Sequence, residues 1–278
     1  MASWWKALGF AALLSVPANA APPRRIVSLN ACADAYIVAL ADPGQIAALT
    51  QFARDPHYST VLAQAARLPI SNGSAEEVIA LKPDLIVASS ALRFTTMAAL
   101  AGRGVPIVDL PDKDDLAGIE EMIGRVAAAV GHPDRGRVLV ASIRARLAAI
   151  GPPPGRGRIA ADYQRRGYMT GTGTLIDEMM GRVGLVNLAG KLGRPALSQL
   201  SLEEMAMAHP DFLLLESDTR IVSDRSTEAL HHPLLDRVVP PAHRLYIPQA
   251  LTVCGGPSYP DAVKLLANEI RAADAIMR

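Results

Sequence analysis

Ser74-Ala-Glu-Glu-Val-Ile-Ala-Leu-Lys-Pro-Asp-Leu-Ile-Val87 and Ser201-Leu-Glu-Glu-Met-Ala-Met-Ala-His-Pro-Asp-Phe-Leu-Leu214 repeat one pattern 127 residues apart. Each copy opens on a serine with a glutamate three residues later, the capping-box signature of a helix N-terminus. An apolar helical stretch follows and is stopped by proline, which cannot continue a helix. An aspartate then leads into an uninterrupted apolar run, as expected of a strand buried on both faces. Identical spacing over fourteen positions predicts one helix–turn–strand unit used once in each half of the chain.

The surroundings of both copies extend the pattern. In the first half, Arg25-Ile-Val-Ser-Leu29 reads as a strand, followed by Asn30-Ala-Cys-Ala-Asp34 and a helix over Ala35–Leu40. Ile46–Thr50 is strand-like, Thr95–Arg103 a helix and Pro106–Leu110 a strand. In the second half, Arg158–Tyr163, Asp211–Glu216 and His243–Ile247 read as strands, with helices over Thr174–Val183 and Ser258–Met277. Short apolar strands alternating with helices mean parallel sheets covered on both faces.

The alternation breaks once. Asp114–Val130 carries Leu116, Ile119, Met122, Ile123 and Val126 at helical spacing. After Gly131-His132, a second helix is predicted over Pro133–Ile150, with Pro133 in its first turn and Val138, Leu139, Ile143 and Leu147 on one stripe. Gly151-Pro-Pro-Pro-Gly155 ends it. The expected organisation is a leader over 1–20, an N-terminal α/β lobe over 21–132, a bridging helix over 133–150 and a C-terminal α/β lobe over 151–278.

The leader reading rests on Lys6, the apolar run Ala7–Val16 and small residues at Ala18 and Ala20, a secretory signal pattern with cleavage expected near Ala20-Ala21. The apolar run is too short to span a bilayer, and no cysteine sits at the cleavage point to carry a lipid. The chain has 28 basic and 27 acidic residues, and loss of Lys6 with the leader leaves 27 of each. That balance offers no field for nucleic acid or an anionic membrane surface. Half the chain is apolar, enough for a large core, while aromatic residues are only 4%. Two cysteines, Cys32 and Cys254, in an exported chain leave three outcomes open: a disulfide between the lobes, free thiols lining a site, or small core residues.

Four stretches carry a family resemblance: Arg25–Leu29, Glu76–Val87, Thr170-Gly-Thr-Gly-Thr-Leu-Ile-Asp177 and Ser201–Leu214. Through them the chain resembles the periplasmic substrate-binding proteins of ABC importers, in the class that serves iron-siderophore, haem and cobalamin uptake. The resemblance implies two Rossmann-like lobes with central, mostly parallel sheets, bridged by a single long α-helix, with the ligand in the cleft between. It implies a soluble, monomeric, non-enzymatic periplasmic protein that delivers a metal-chelate or corrinoid ligand to a permease dimer driven by a cytoplasmic ATPase. No resident cofactor and no nucleic-acid partner is called for.

Candidate ligand contacts follow from loops placed at strand ends, where α/β sites form. Asn30 and Cys32 follow the first strand, and Cys254 lies in the loop after the last one. Arg54, His57 and Tyr58 offer a cation, an imidazole and a phenol within five residues. Arg93 with Phe94 has the same standing after the Asp84–Ser90 strand. Tyr163, Arg165 and Arg166, beside Tyr168, suit an anionic, ring-containing ligand through charge-assisted hydrogen bonds and stacking. Thr172 and Thr174 are cleft-lining by family position. Gly171-Thr-Gly lacks the spacing of a nucleotide loop and reads as a helix-entry turn. The resemblance implies one exposed glutamate on each lobe pairing with permease arginines, which makes Glu76 and Glu203, one per repeat, the expected docking pair; capping engages Glu77 and Glu204 instead.

Two other classes compete. A bare zinc or manganese site would need several histidines and carboxylates converging. Here only His57 and His243 could meet from the two halves, and no His-x-x-x-His pair is present. A secreted hydrolase or transferase would need a Gly-x-Ser-x-Gly elbow or a histidine partner for Cys254, and neither motif is found.

Overall fold

The computed structural model describes residues 21–89, 94–110, 115–220 and 227–276. The expected leader, and Arg93, lie outside the described residues. The first half forms β1 (Ile26–Ser28), α1 (Ala31–Leu40), β2 (Ile46–Thr50), α2 (Leu62–Ala65), β3 (Ile70–Ser71), α3 (Ala75–Ala80), β4 (Leu85–Ala88), α4 (Phe94–Leu100), β5 (Ile107–Asp109), α5 (Leu116–Ala129) and α6 (Pro133–Ala148). Its five strands lie in the order β3-β2-β1-β4-β5, all pairs parallel.

The second half forms β6 (Ile159–Asp162), β7 (Tyr168–Thr170), α7 (Leu175–Arg182), β8 (Val186–Asn187), α8 (Leu188–Lys191), β9 (Leu197–Gln199), α9 (Leu202–Ala208), β10 (Phe212–Glu216), α10 (Pro233–Val238), β11 (Arg244–Ile247) and α11 (Tyr259–Ile276). Its parallel sheet has the order β11-β10-β6-β8, and β7 and β9 form a separate antiparallel ribbon. In both sheets the first strand is internal and the chain winds outward from it in both directions. Among the described residues no helix is long and apolar enough to cross a membrane.

The repeat is structural in detail. In both copies the strand pairs with the first strand of its own sheet, β4 with β1 and β10 with β6. The aspartate explains the shared register. Asp84 accepts from the backbone N–H groups of Arg24 (2.7 Å) and Arg25 (2.8 Å), and its own N–H donates to Arg25. Asp211 accepts from Ile159 N–H (2.7 Å), and its N–H donates to Ile159. The residue before each proline is left-handed, Lys82 at φ 47° and His209 at φ 43°. A side chain in that region costs about 1–2 kcal/mol. The copies differ at their caps. Ser201 and Glu204 form the complete capping box, whereas Glu77 turns its carboxylate to Asn72 N–H (2.9 Å), so only the Ser74 half forms.

Strand alternation divides the core. Ile26, Leu85, Val87, Phe212 and Leu214 face one continuous apolar core shared by both halves, completed by α1, α5, α6, α7 and α11. Their neighbours face outward into two smaller cores, Val27 and Ile86 in the first half and Leu213 and Leu215 in the second. The α6 helix sits in the shared core through Ile143, which is fully buried. Gly136 lets it approach α5: a Cβ there would lie 2.5 Å from Ala127 Cβ. At its rim Arg135 donates to Leu40 O (2.7 Å) and Asp42 (2.8 Å), Arg144 pairs with Glu120 (2.7 Å), and Arg146 pairs with Asp261 of α11. Val138, expected on the buried stripe, is 70% exposed. The helix buries a narrow seam rather than a wide face, and Val138 falls outside it.

Replacing Asp84 or Asp211 with alanine removes hydrogen bonds to exposed N–H groups at the start of β1 and β6, so each is expected to lower stability by about 0.5–1.5 kcal/mol. Lys82→Gly and His209→Gly relieve the left-handed strain and are expected to be neutral or stabilising by up to ~1 kcal/mol. Denaturant unfolding of the four variants checks both signs.

Candidate ligand cleft

Because β1 is internal and the chain leaves it in opposite directions, a crevice opens at its carboxyl end, the place where ligands enter such sheets. Asn30 sits there as N-cap of α1. Its Oδ1 accepts from Ala33 N–H (2.7 Å), which turns Nδ2 away from the helix; Nδ2 has no partner although the residue is only 6% exposed. Gln51 and Phe52 follow β2 directly. The Phe52 and Tyr58 rings meet edge to face, centroids 5.3 Å apart. These residues, with Asn72 and the Cys32–Cys254 pair, line a cavity of about 530 Å³.

The second half builds the adjoining wall in the same way. Asp162 ends β6, Glu216 ends β10 and Ile247 ends β11, and they line a cavity of about 260 Å³. Val253 borders both cavities, so the two meet at the loop after β11. Thr174 and Leu175, at the entry of α7, complete this wall. That entry turn needs Gly171, where a Cβ would lie 2.0 Å from Pro195 O.

Two carboxyl groups are buried here, Asp34 behind the first wall and Asp162 in the second. Asp34, in the first turn of α1, accepts from Thr50 N–H (2.9 Å) and Thr50 Oγ1 (2.5 Å). Burial outweighs those bonds and lifts its pKa from the ordinary 3.8 to about 6. Asp162 accepts from Gln164 Nε2 (2.9 Å), which also lies 2.9 Å from Thr170 Oγ1. Burial again raises its pKa.

Cys32 and Cys254 are joined in a disulfide, Cα atoms 5.4 Å apart across 222 residues of chain. It ties the first turn of α1 to the loop before α11. One turn along α1, the Tyr36 hydroxyl donates to Gly255 O (2.9 Å). The pair therefore borders the cavity as a disulfide, and the free-thiol alternative is set aside.

Of the sequence candidates, Asn30, Cys32, Tyr58, Thr174 and Cys254 line the cleft. Arg54 does not: its guanidinium donates to the carbonyls of Ala65, Ala66 and Leu68, holding its own loop closed. His57 is exposed and lies outside both cavities. Tyr163 is 1% exposed in the outer core, its hydroxyl donating to Leu200 O (3.0 Å), because strand alternation turns it away from the cleft-facing Asp162. Arg165 lies 3.9 Å from Glu216, while Arg166 is exposed in a left-handed turn. Thr172 is exposed one position before the turn that delivers Thr174. His243 is held at the opposite end of β11 by Asp211 O (2.9 Å), so it cannot meet His57. Among the described residues no group of three His, Cys, Asp or Glu is arranged to hold a metal ion. Sequence reading missed Gln51, Phe52, Asn72, Asp162, Glu216, Gln249 and Thr252. A polar residue closing an apolar strand, as in Asp162 and Glu216, was the available signal.

The periplasmic binding protein family matches residues 26–237. A cobalamin-binding protein of Halobacterium salinarum is 26% identical over 214 residues, 73% of this chain and 55% of the relative, so the chain spans about half the length of that relative. Among solved structures, the periplasmic heme-binding protein RhuT from Roseiflexus sp. RS-1 aligns with a TM-score of 0.68 and 25% identity, covering 90% of this chain and 99% of that one. The vitamin B12-binding protein BtuF of Vibrio cholerae aligns at 0.70 and 19% identity, over 91% and 98%. The latter likeness concerns the fold.

Asp34 has a definite signature in pH. Its folded pKa is raised, so between pH 3.8 and about 6 the native protein holds more protons than the unfolded chain. Stability contributed by the protonated form is therefore present at low pH and lost as pH rises through that window. Asp34→Asn is expected to flatten this part of the stability–pH profile, measured by thermal or denaturant unfolding. An unchanged slope would contradict the assignment.

Proposed function

The chain belongs to the periplasmic binding protein family, and from that premise we propose that it captures a metal-chelate or corrinoid ligand (cobalamin, a ferric siderophore or haem) and delivers it to an ABC permease dimer driven by a cytoplasmic ATPase. The observation that carries this reading is the convergence of both parallel sheets, by their carboxyl ends, on one cleft with a paired aromatic wall and polar residues opposite. Such a site suits a large, partly planar ligand held by stacking and a few oriented hydrogen bonds. The reading is of binding without turnover, by a monomer whose working units are lobes 21–132 and 151–278 with the helix 133–150 between them. The Cys32–Cys254 disulfide fits an oxidising compartment, in keeping with release into the periplasm after cleavage near Ala20-Ala21.

Glu76 and Glu203 support the permease half of the proposal. Both are exposed in the first turn of equivalent helices, α3 and α9, while Glu77 and Glu204 are engaged by Asn72 and by Ser201 with Arg194. Two matching anions suit a two-fold symmetric partner, where exposed charges orient docking more than they bind.

Titration of the purified mature protein with cyanocobalamin, haemin and a ferric hydroxamate, followed by calorimetry, is expected to give saturable one-to-one binding of at least one chelate, tighter than about 1 μM. Binding of zinc or manganese ions with no chelate bound would overturn the reading. In cells, the Glu76→Arg, Glu203→Arg double variant is expected to lose uptake while keeping its affinity in solution; normal uptake would place docking elsewhere.

A further inference from the structure

The Cys32–Cys254 disulfide stands at the rim of the cleft. Both cysteines are half-buried, and both line the first-half cavity. The segment that the bond anchors is a wall to both cavities: Thr252 and Val253 line the second-half cavity, Val253 and Cys254 the first-half one. Its own backbone bonds are local, since the N–H groups of Thr252 (2.9 Å) and Val253 (3.0 Å) both donate to Gln249 O, whereas the disulfide reaches across to α1. Just beyond the bond the chain is held separately. Gly255 O accepts from the Tyr36 hydroxyl (2.9 Å), and Tyr259 is buried in the shared core. Opening the disulfide would therefore release the double wall without detaching α11.

The bond is also placed to exchange. Cys32 is the second residue of α1, after the N-cap Asn30. The backbone N–H groups at such a helix end stabilise a thiolate, and a stabilised thiolate leaves faster in thiol–disulfide exchange. Asp34, in the same turn, works against this, but Thr50 N–H and Oγ1 take up its two oxygens. On the premise that the cleft is the chelate site proposed above, we propose that Cys32–Cys254 is a thiol–disulfide exchange site whose redox state sets the affinity of the cleft, its substrate a protein dithiol reductant. One thiolate of the reductant attacks Cys254 Sγ; the S–S bond breaks, and Cys32 leaves as a thiolate that takes up a proton. The second thiol of the reductant then displaces Cys254. The reductant ends as a disulfide, and two electrons and two protons pass to the cysteine pair. The oxidised protein captures the chelate on a fixed wall. In the reduced protein the wall is loose, and a ligand has to order it again on binding, which favours release.

The test uses the mature protein and whichever of cyanocobalamin, haemin and a ferric hydroxamate binds its oxidised form. The protein is reduced with dithiothreitol, the reductant is removed under nitrogen, and thiol content, melting temperature and affinity are measured on the same sample. Two thiols are expected to appear in a protein that is still folded, and the dissociation constant to rise by roughly fivefold or more, with reoxidation restoring it. The Cys32→Ser, Cys254→Ser double variant is expected to hold the weaker affinity with or without that treatment. Equal affinity of the oxidised and reduced wild-type protein overturns the proposal while leaving chelate capture intact. So does a bond that opens only once the protein is denatured, or a reduced protein that unfolds, since either makes the disulfide a structural clamp. Absence of binding by every compound in the oxidised state overturns the chelate reading itself, and this inference with it.

Discussion

The shared apolar core is the constraint from which the rest of the architecture follows. The central strands of each parallel sheet are buried on both faces, and one face of each packs into the same core, sealed by α1, α5, α6, α7 and α11. With side faces committed in this way, the carboxyl strand ends of each sheet are left open to the cleft. These are where Asn30, Gln51, Asp162 and Glu216 stand. The cleft is thus a consequence of how the halves are joined, and its polar residues are those that the core could not absorb.

The joint is braced at more than one level. Ile143 and Gly136 seat α6 in the core, and rim arginines tie it to Glu120 on one side and Asp261 on the other. Exposed ion pairs of this sort are worth at most about 1 kcal/mol each. The Cys32–Cys254 bond closes a loop of more than two hundred residues, for which the chain-entropy account gives up to ~5 kcal/mol. Together with Tyr36–Gly255 it fixes α1 to the loop that borders both cavities. Large hinge motion would have to break these links together.

Much of the fold was legible in the sequence because its determinants are local. The Ser74 and Ser201 repeats, the apolar strands and the Pro133 helix start all depend on residues adjacent in the chain, and the observed elements fall within a few positions of those expected. The β7–β9 ribbon escaped because its pairing joins segments with no shared pattern. The cleft was legible by region rather than by residue. Tyr163 and Asp162 are neighbours, yet strand alternation sends one into the core and the other to the cavity wall. Arg54 has the chemistry of a ligand contact, but three nearby carbonyls claim its donors. Such competition is set by tertiary packing, which spacing alone does not encode.

The central claim is that one core and one disulfide hold both halves as a single frame around a preformed cleft. Small-angle X-ray scattering of the oxidised protein, free and saturated with whichever chelate binds, tests this most directly. The account predicts scattering profiles that superimpose and an unchanged radius of gyration. A marked compaction on binding would contradict it, and would show that the halves close on the ligand about a hinge.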